Sequence, residues 1–389
     1  MSFPTVATSL DDSTCVLVNR LARVVVNRVL SDVVVSDVSS SNSESNSVSN
    51  SGSNSNLGAP EKKPSAGARL LRAAAWIVTA GLLGLLLWRT PFSQVVAATR
   101  SAAPWMVPVT LLMLVAIYVA DSLAIWKTFG WFLAPLSFAQ ILIVRGATYL
   151  LAAINYSVGQ GAIVYFVHRG TGVPVLRGVG TVLLIMGVNV LALMFLTTAG
   201  LAIAPDVPRS LYVVITVAYI GLAIYLVAVI ARPRWLSSRP IFDVLLAAGL
   251  RGHLKALLVR LPHIAVLIAY QTIVLRAFGV RVPVVAAITS LPVVLFIAVL
   301  PISVQGIGTT QAAMVFFFAR YGTGDETTRQ AAVLAESLVT QAIALGFQSL
   351  LGLGCLRSRI GRDLRSATRT QETTGTSSPV PAETATRPL

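Results

Sequence analysis

Residues 283–320 read PVVAAITSLPVVLFIAVLPISVQGIGTTQAAMVFFFAR and carry no charged side chain before the closing Arg320. The run is apolar, yet it is interrupted at Pro301-Ile302-Ser303-Val304-Gln305-Gly306-Ile307-Gly308. Residues 137–167 follow the same plan, with a break around Asn155-Tyr156-Ser157-Val158-Gly159-Gln160-Gly161. Unbroken apolar blocks flank both: Ala73–Trp88, Pro104–Trp126, Gly178–Ala204, Ser210–Ala231, Leu261–Phe278 and Gln330–Cys355. Blocks of this kind match the roughly 20 residues that cross a hydrocarbon core of about 30 Å. Backbone groups in lipid must pair internally, and no period-2 alternation suggests a barrel. The expected class is therefore all-α: a polytopic integral membrane protein.

Bulk composition agrees. The chain has 389 residues, 55% hydrophobic and 12% charged, with a mean hydropathy of +0.77. Soluble domains carry about 25% charged residues. The formal net charge is +15, from 30 Lys and Arg against 15 Asp and Glu. A basic chain can signal nucleic acid. Here the basic residues lie in short loops and the C-terminal tail, as the positive-inside rule expects, and no nucleic-acid partner is expected.

Four regions follow from these patterns. Residues 1–60 include a stretch from Ser39 to Asn56 made almost wholly of Ser and Asn, which reads as disordered. It is not a signal peptide, since Asp11 and Asp12 stand where basic residues are needed. Residues 61–204 and 205–356 are two membrane halves. Residues 357–389 form a basic, then Thr/Ser/Pro-rich tail that also reads as disordered.

The halves resemble each other. Phe129-Gly130 precedes Pro135 as Phe278-Gly279 precedes Pro283; Ser157-Val158 with Gly159 and Gly161 matches Ser303-Val304 with Gly306 and Gly308. Arg177 lies five residues after Gly172, and Arg329 five after Gly324. Charge placement selects a topology. If each broken segment is a re-entrant hairpin, six spans remain, three per half, and the second half is inverted. Lys127, Arg169, Arg177, the Arg232–Arg260 cluster and the Arg-rich tail then share the cytoplasmic side with both termini. The Gly-rich breaks would meet near the midplane, where broken helices offer backbone groups to a substrate.

Candidate site residues follow from that picture. Gly159, Gly161, Gly306 and Gly308 permit tight turns or close backbone approach, either to bind an anionic group at a helix N-terminus or to pack helices. Asn155, Ser157, Gln160, Asn189, Ser303, Gln305 and Gln311 can supply neutral hydrogen bonds, though each alone is more often helix glue. Arg145 and Glu336 lie inside apolar blocks, where charge is costly; they are expected to pair with each other or to face a hydrated path. Asp121 is expected nearer a solvated end. Cys355 reads as a small apolar filler. His168, His253 and His263 lack metal spacing, and neither Ser157 nor Ser303 has a nearby base. No catalytic residue, metal or cofactor is expected.

The segment Leu300–Ala313, with its Pro-x-Ser-x-x-Gly-x-Gly element, resembles the lysylphosphatidylglycerol synthase transmembrane-region family, the flippase-like integral membrane proteins. The resemblance spans about Ala73–Leu353 and includes Gly159-Gln160-Gly161 and the order of spans. It implies a bacterial inner-membrane protein related to the domain that moves aminoacylated phospholipid between leaflets, with membrane lipids as partners. Lipid aminoacylation itself is not implied. Where the family often has Glu, this chain has Gln311; where it has a polar residue and Arg in the first hairpin, this chain reads Gly161-Ala162-Ile163. The other reading is a non-transporting scaffold or accessory subunit for envelope lipid or polysaccharide synthesis.

The inverted topology has a direct test. Single cysteines at Gly170 and Gly322, in a chain lacking Cys15 and Cys355, should react with an impermeant thiol reagent from opposite sides of the membrane. Labelling from one side would exclude inversion.

Overall fold

The computed structural model describes residues 66–154, 156–203, 209–299 and 306–358. Among these, all regular structure is helical. The helices are α1 (Ala66–Arg89), α2 (Phe92–Ser101), α3 (Met106–Phe132), α4 (Phe138–Ile154), α5 (Tyr156–Thr171) and α6 (Val175–Ile203). They continue as α7 (Arg209–Ala231), a short turn α8 (Arg234–Ser237), α9 (Pro240–Ala277), α10 (Val284–Val299), α11 (Thr309–Phe318) and α12 (Glu326–Arg357). Among the described residues, four helices are long and apolar enough to cross a membrane: α3, residues Val175–Gly200 of α6, α9 and α12. Shorter apolar segments lie in α1, α4, α7 and α10. The described part of the chain has the make-up of a helical membrane protein.

The outer surfaces fit that environment. On α7, Val217, Ile220, Ile224 and Val227 recur at three- and four-residue spacing, and all are exposed. Leu250, Leu254, Leu258 and Leu261 do the same on α9. Such stripes on a surface normally polar in soluble proteins are the faces that lipid covers. Inside, the apolar clusters are segregated by neighbouring helices. One joins Ile141, Val144 and Leu151 of α4 to Ala162–Val167 of α5, and another joins Leu291 and Val294 of α10 to Met314 and Phe318 of α11.

Helices α3 and α9 pack antiparallel along their length. The Ala103 N–H, just before α3, donates to the Ala277 carbonyl at 2.9 Å. At the opposite end, a Cβ on Gly252 would lie 2.9 Å from the Phe132 ring. The α9 helix starts well before the apolar block that marks it in the sequence. It bends at Gly249, whose φ of 56° and ψ of −176° suit glycine alone, and continues through Pro262. Helix α12 begins at Asp325, whose carboxylate accepts from the Thr328 N–H at 3.1 Å and the Thr327 hydroxyl at 2.8 Å. Hydrogen bonds from Thr328 and Thr327 hold that carboxyl below the ordinary aspartate range.

Both broken segments form helix pairs, but they differ. In the first, α4 packs against α5, and Gly159-Gln160-Gly161 lies within α5 rather than in a turn. Gly159 serves close approach: a Cβ there would sit 2.8 Å from the Ala152 Cα. In the second, Gly306 and Gly308 have φ of 74° and 87°, so they do form the turn into α11. Residues 1–60, the tail beyond 358, Asn155, Ser303 and Gln305, for which the sequence raised expectations, fall outside the described residues, as does the side chain of Ser157.

The two halves interlock. Helix α6 packs on α10, and α12 packs on α4. Each contact is made at a glycine. A Cβ on Gly200 would lie 2.8 Å from the Thr289 Cα, and one on Gly352 would lie 2.7 Å from the Leu150 Cβ. The obstacle at Gly200 is backbone, so it cannot swing away. Leucine at either position should lower stability toward sodium dodecyl sulfate unfolding by about 2 kcal/mol or more, the upper part of the overpacking range. Gly187→Leu is the control, because that site is open within 4 Å. Equal midpoints for all three variants would refute the interlock.

Candidate functional site

Asp121 sits in the middle of α3 and is 2% exposed. It is not at a solvated end. Its Oδ2 accepts from Arg145 Nε on α4 at 2.5 Å, and its Oδ1 accepts from Arg260 Nη1 on α9. Arg260 Nε also donates to Asn189 Oδ1 on α6 at 2.9 Å. The Arg145 guanidinium stands 4.7 Å from the centroid of the Tyr149 ring. His263, one turn beyond Arg260, brings Nδ1 within 3.3 Å of the Ile117 carbonyl, one turn before Asp121. Four helices thus converge on one carboxylate, and the two guanidinium groups leave the centre with one excess positive charge.

Local features position these groups. Tyr118 donates to the Leu142 carbonyl at 2.5 Å, and Trp126 Nε1 to the Leu136 carbonyl at 2.7 Å. Tyr118 and Trp126 flank Asp121 on α3, and their bonds tie α3 to α4 and to the loop just before it. Gly146, next to Arg145, leaves no room for a side chain against Cys355. Cys355 packs against the α4–α5 cluster, in keeping with an apolar filler.

Glu336 is also fully buried, on α12. Its Oε1 accepts from Gln271 Nε2 of α9 at 2.7 Å. Its Oε2 has no hydrogen-bond partner among the described residues. Glu336 does not pair with Arg145. Arg145 neighbours Gly146, which meets Cys355. Cys355 lies 19 residues beyond Glu336 on the same helix, roughly 28 Å at 1.5 Å per residue. Arg145 and Glu336 therefore belong to separate polar centres.

A third feature is the start of α11. The Gly308 N–H donates to Gln311 Oε1 at 2.7 Å, so this side chain caps its own helix. Gln311 is 1% exposed. A Cβ on Gly308 would lie 3.1 Å from the Thr79 carbonyl of α1, so α11 starts against another helix backbone. Gln160 and Gly161 are half-buried in α5.

Sequence reasoning missed Arg260 and Gln271 as site residues; Asn189, one of the neutral hydrogen-bonding candidates, is found at the charged centre. Arg260 falls at the edge of a basic cluster whose charges read as cytoplasmic. The structure moves it inside α9. The Leu250, Leu254, Leu258, Leu261 stripe carries helical spacing through that cluster, and it is the signal that could have placed Arg260 on a helix.

Neither a protein-family model nor any curated protein matches this chain.

The charged centre predicts strong coupling. Removing one member of a buried ion pair costs about 3–5 kcal/mol, because the other charge is left uncompensated. Asp121→Asn should destabilise the protein by that amount. Combining it with Arg260→Gln should cost less than the sum of the single changes. Additive effects in the double-mutant cycle would show that the residues do not interact.

Proposed function

We propose that this protein is a flippase-like transporter of the bacterial inner membrane that binds and moves phospholipids or lipid-linked molecules with anionic head groups. The observation that carries this reading is the Asp121–Arg145–Arg260 centre. Ionisable groups within a bilayer face bundle interiors or hydrated paths and mark substrate routes. Guanidinium groups present planar forks that match phosphate oxygens. Asp121 occupies those forks when no substrate is present; a head-group phosphate would compete for them. Acyl chains would stay in the bilayer, avoiding the cost of carrying polar groups through hydrocarbon.

Two further features support the reading. The first is the resemblance of Leu300–Ala313 to the flippase-like family. The second is the exchange of contacts, α6 with α10 and α12 with α4. A pseudo-two-fold axis relating two halves would produce it. The same 152 residues separate Arg177 from Arg329 and Gly200 from Gly352. In the proposed topology α1, α3, α6, α7, α9 and α12 are the six spans. The α4–α5 and α10–α11 pairs are re-entrant, and both termini are cytoplasmic. Inverted repeats of this type place substrate sites between the halves. The charged centre draws α3, α4 and α6 from the first half and α9 from the second.

Reconstitution into liposomes containing fluorescent phospholipids tests the function. The wild-type chain should make inner-leaflet lipid accessible to an external quencher faster than empty liposomes do. Arg260→Gln and Arg145→Gln should abolish most of that gain, while Gly187→Leu should keep it. No gain for anionic, zwitterionic or aminoacylated lipids would overturn the proposal.

A further inference from the structure

We propose that Glu336 and Gln271 form a proton-binding site, and that it serves as the coupling-ion site for the transport proposed above. The argument rests on a contrast between two equally inaccessible carboxyl groups. Asp121 has two guanidinium partners. Glu336 has one neutral amide donor on Oε1 and nothing on Oε2. No Lys, Arg or His among the described residues forms an ion pair with it.

The surroundings offer little to an anion. Helix α9 presents Gln271 and the neighbouring Tyr270 phenol. On α12 itself, the Ser337 hydroxyl donates to the Leu334 carbonyl; the Thr340 hydroxyl lies beside the Glu336 carboxyl but donates to the Glu336 backbone carbonyl, which leaves Oε2 without a hydrogen bond. The helices α2 and α3 contribute Val95, Ala98, Met106 and Met113 to the adjoining apolar cluster, and α11 contributes Val315. The basic residues nearest in sequence are Arg329, seven residues earlier on α12, and Arg276, five beyond Gln271 on α9; neither pairs with Glu336. The arginines of the charged centre are distant too. Arg260 and Gln271 are 11 residues apart on α9, roughly 16 Å.

Burying a carboxylate without a cationic partner is costly even after relaxation. A single amide hydrogen bond to it recovers only part of that cost. The group therefore keeps its proton in this conformation, on Oε2. It releases the proton to water only when the α9–α12 seam opens. In the proposed topology this site lies toward the outer side, because α9 ends and α12 begins there. Proton binding itself depends only on α9 and α12; its role in coupling rests on the lipid-transport reading.

Two measurements separate these layers. Infrared spectra of the full chain in liposomes at pH 7 should contain a protonated-carboxyl C=O band. Glu336→Gln, which keeps the shape of the neutral acid, should remove that band; Asp121→Asn should not. A wild-type spectrum without the band would overturn the proton site. Lipid movement should then respond severalfold to an imposed pH gradient in the wild type and not at all in Glu336→Gln. Movement indifferent to the gradient would overturn coupling. A band without any lipid movement would uphold the proton site and refute the transport reading.

Discussion

The salt-bridged carboxylate of Asp121 constrains the bundle more than any other group. Lipid tails are as apolar as leucine, so no hydrophobic force drives helices together once they are in the membrane. Packing, hydrogen bonds and buried charge must set their rotation. Successive helical residues are about 100° apart in direction. Holding Arg145 and Arg260 on opposite oxygens of one carboxylate therefore fixes the faces that α4 and α9 turn toward α3. Asn189 adds α6 to the same node. The apolar clusters fill the space that these rotations leave.

Glycine supplies the complementary constraint. Gly200, Gly352, Gly146 and Gly159 each stand where another helix comes too close for a Cβ. Gly200 and Gly352 occupy matching places in the proposed repeat. The charged groups do not. By the Phe-Gly alignment, Asp121 corresponds to Tyr270; by the Arg177–Arg329 spacing, Glu336 corresponds to Leu184. In the proposed repeat the halves would share shape but not polar chemistry: Asp121 is bridged by two arginines and Glu336 by none.

The class of the fold was legible because the bilayer imposes a length on apolar blocks. Positions along helices were less so. Arg145 was recognisable as an intramembrane charge, but its partner was not. Asp121 and Arg260 each lie close to polar or basic residues in sequence, and only the course of α9 through Gly249 and Pro262 brings them level. Gly159 and Gly306 look alike in sequence, yet one packs inside a helix and the other turns the chain. A Gly-x-Gly pair permits both conformations, and the neighbouring backbone decides between them. Gln311 was expected to be available for a ligand; its oxygen is taken by the N–H of Gly308.

The seat of α12 against α4 also sets an order of assembly. Leu150 is made about 200 residues before Gly352. At translation rates of roughly 5–20 residues per second, the first hairpin waits about 10–40 s for the helix that covers it. During that interval its exposed flank must be occupied by lipid, by α5 or by an insertion factor. Helix α12 is thus the one that covers the first hairpin, and a ribosome stalled before it leaves that hairpin without its lock.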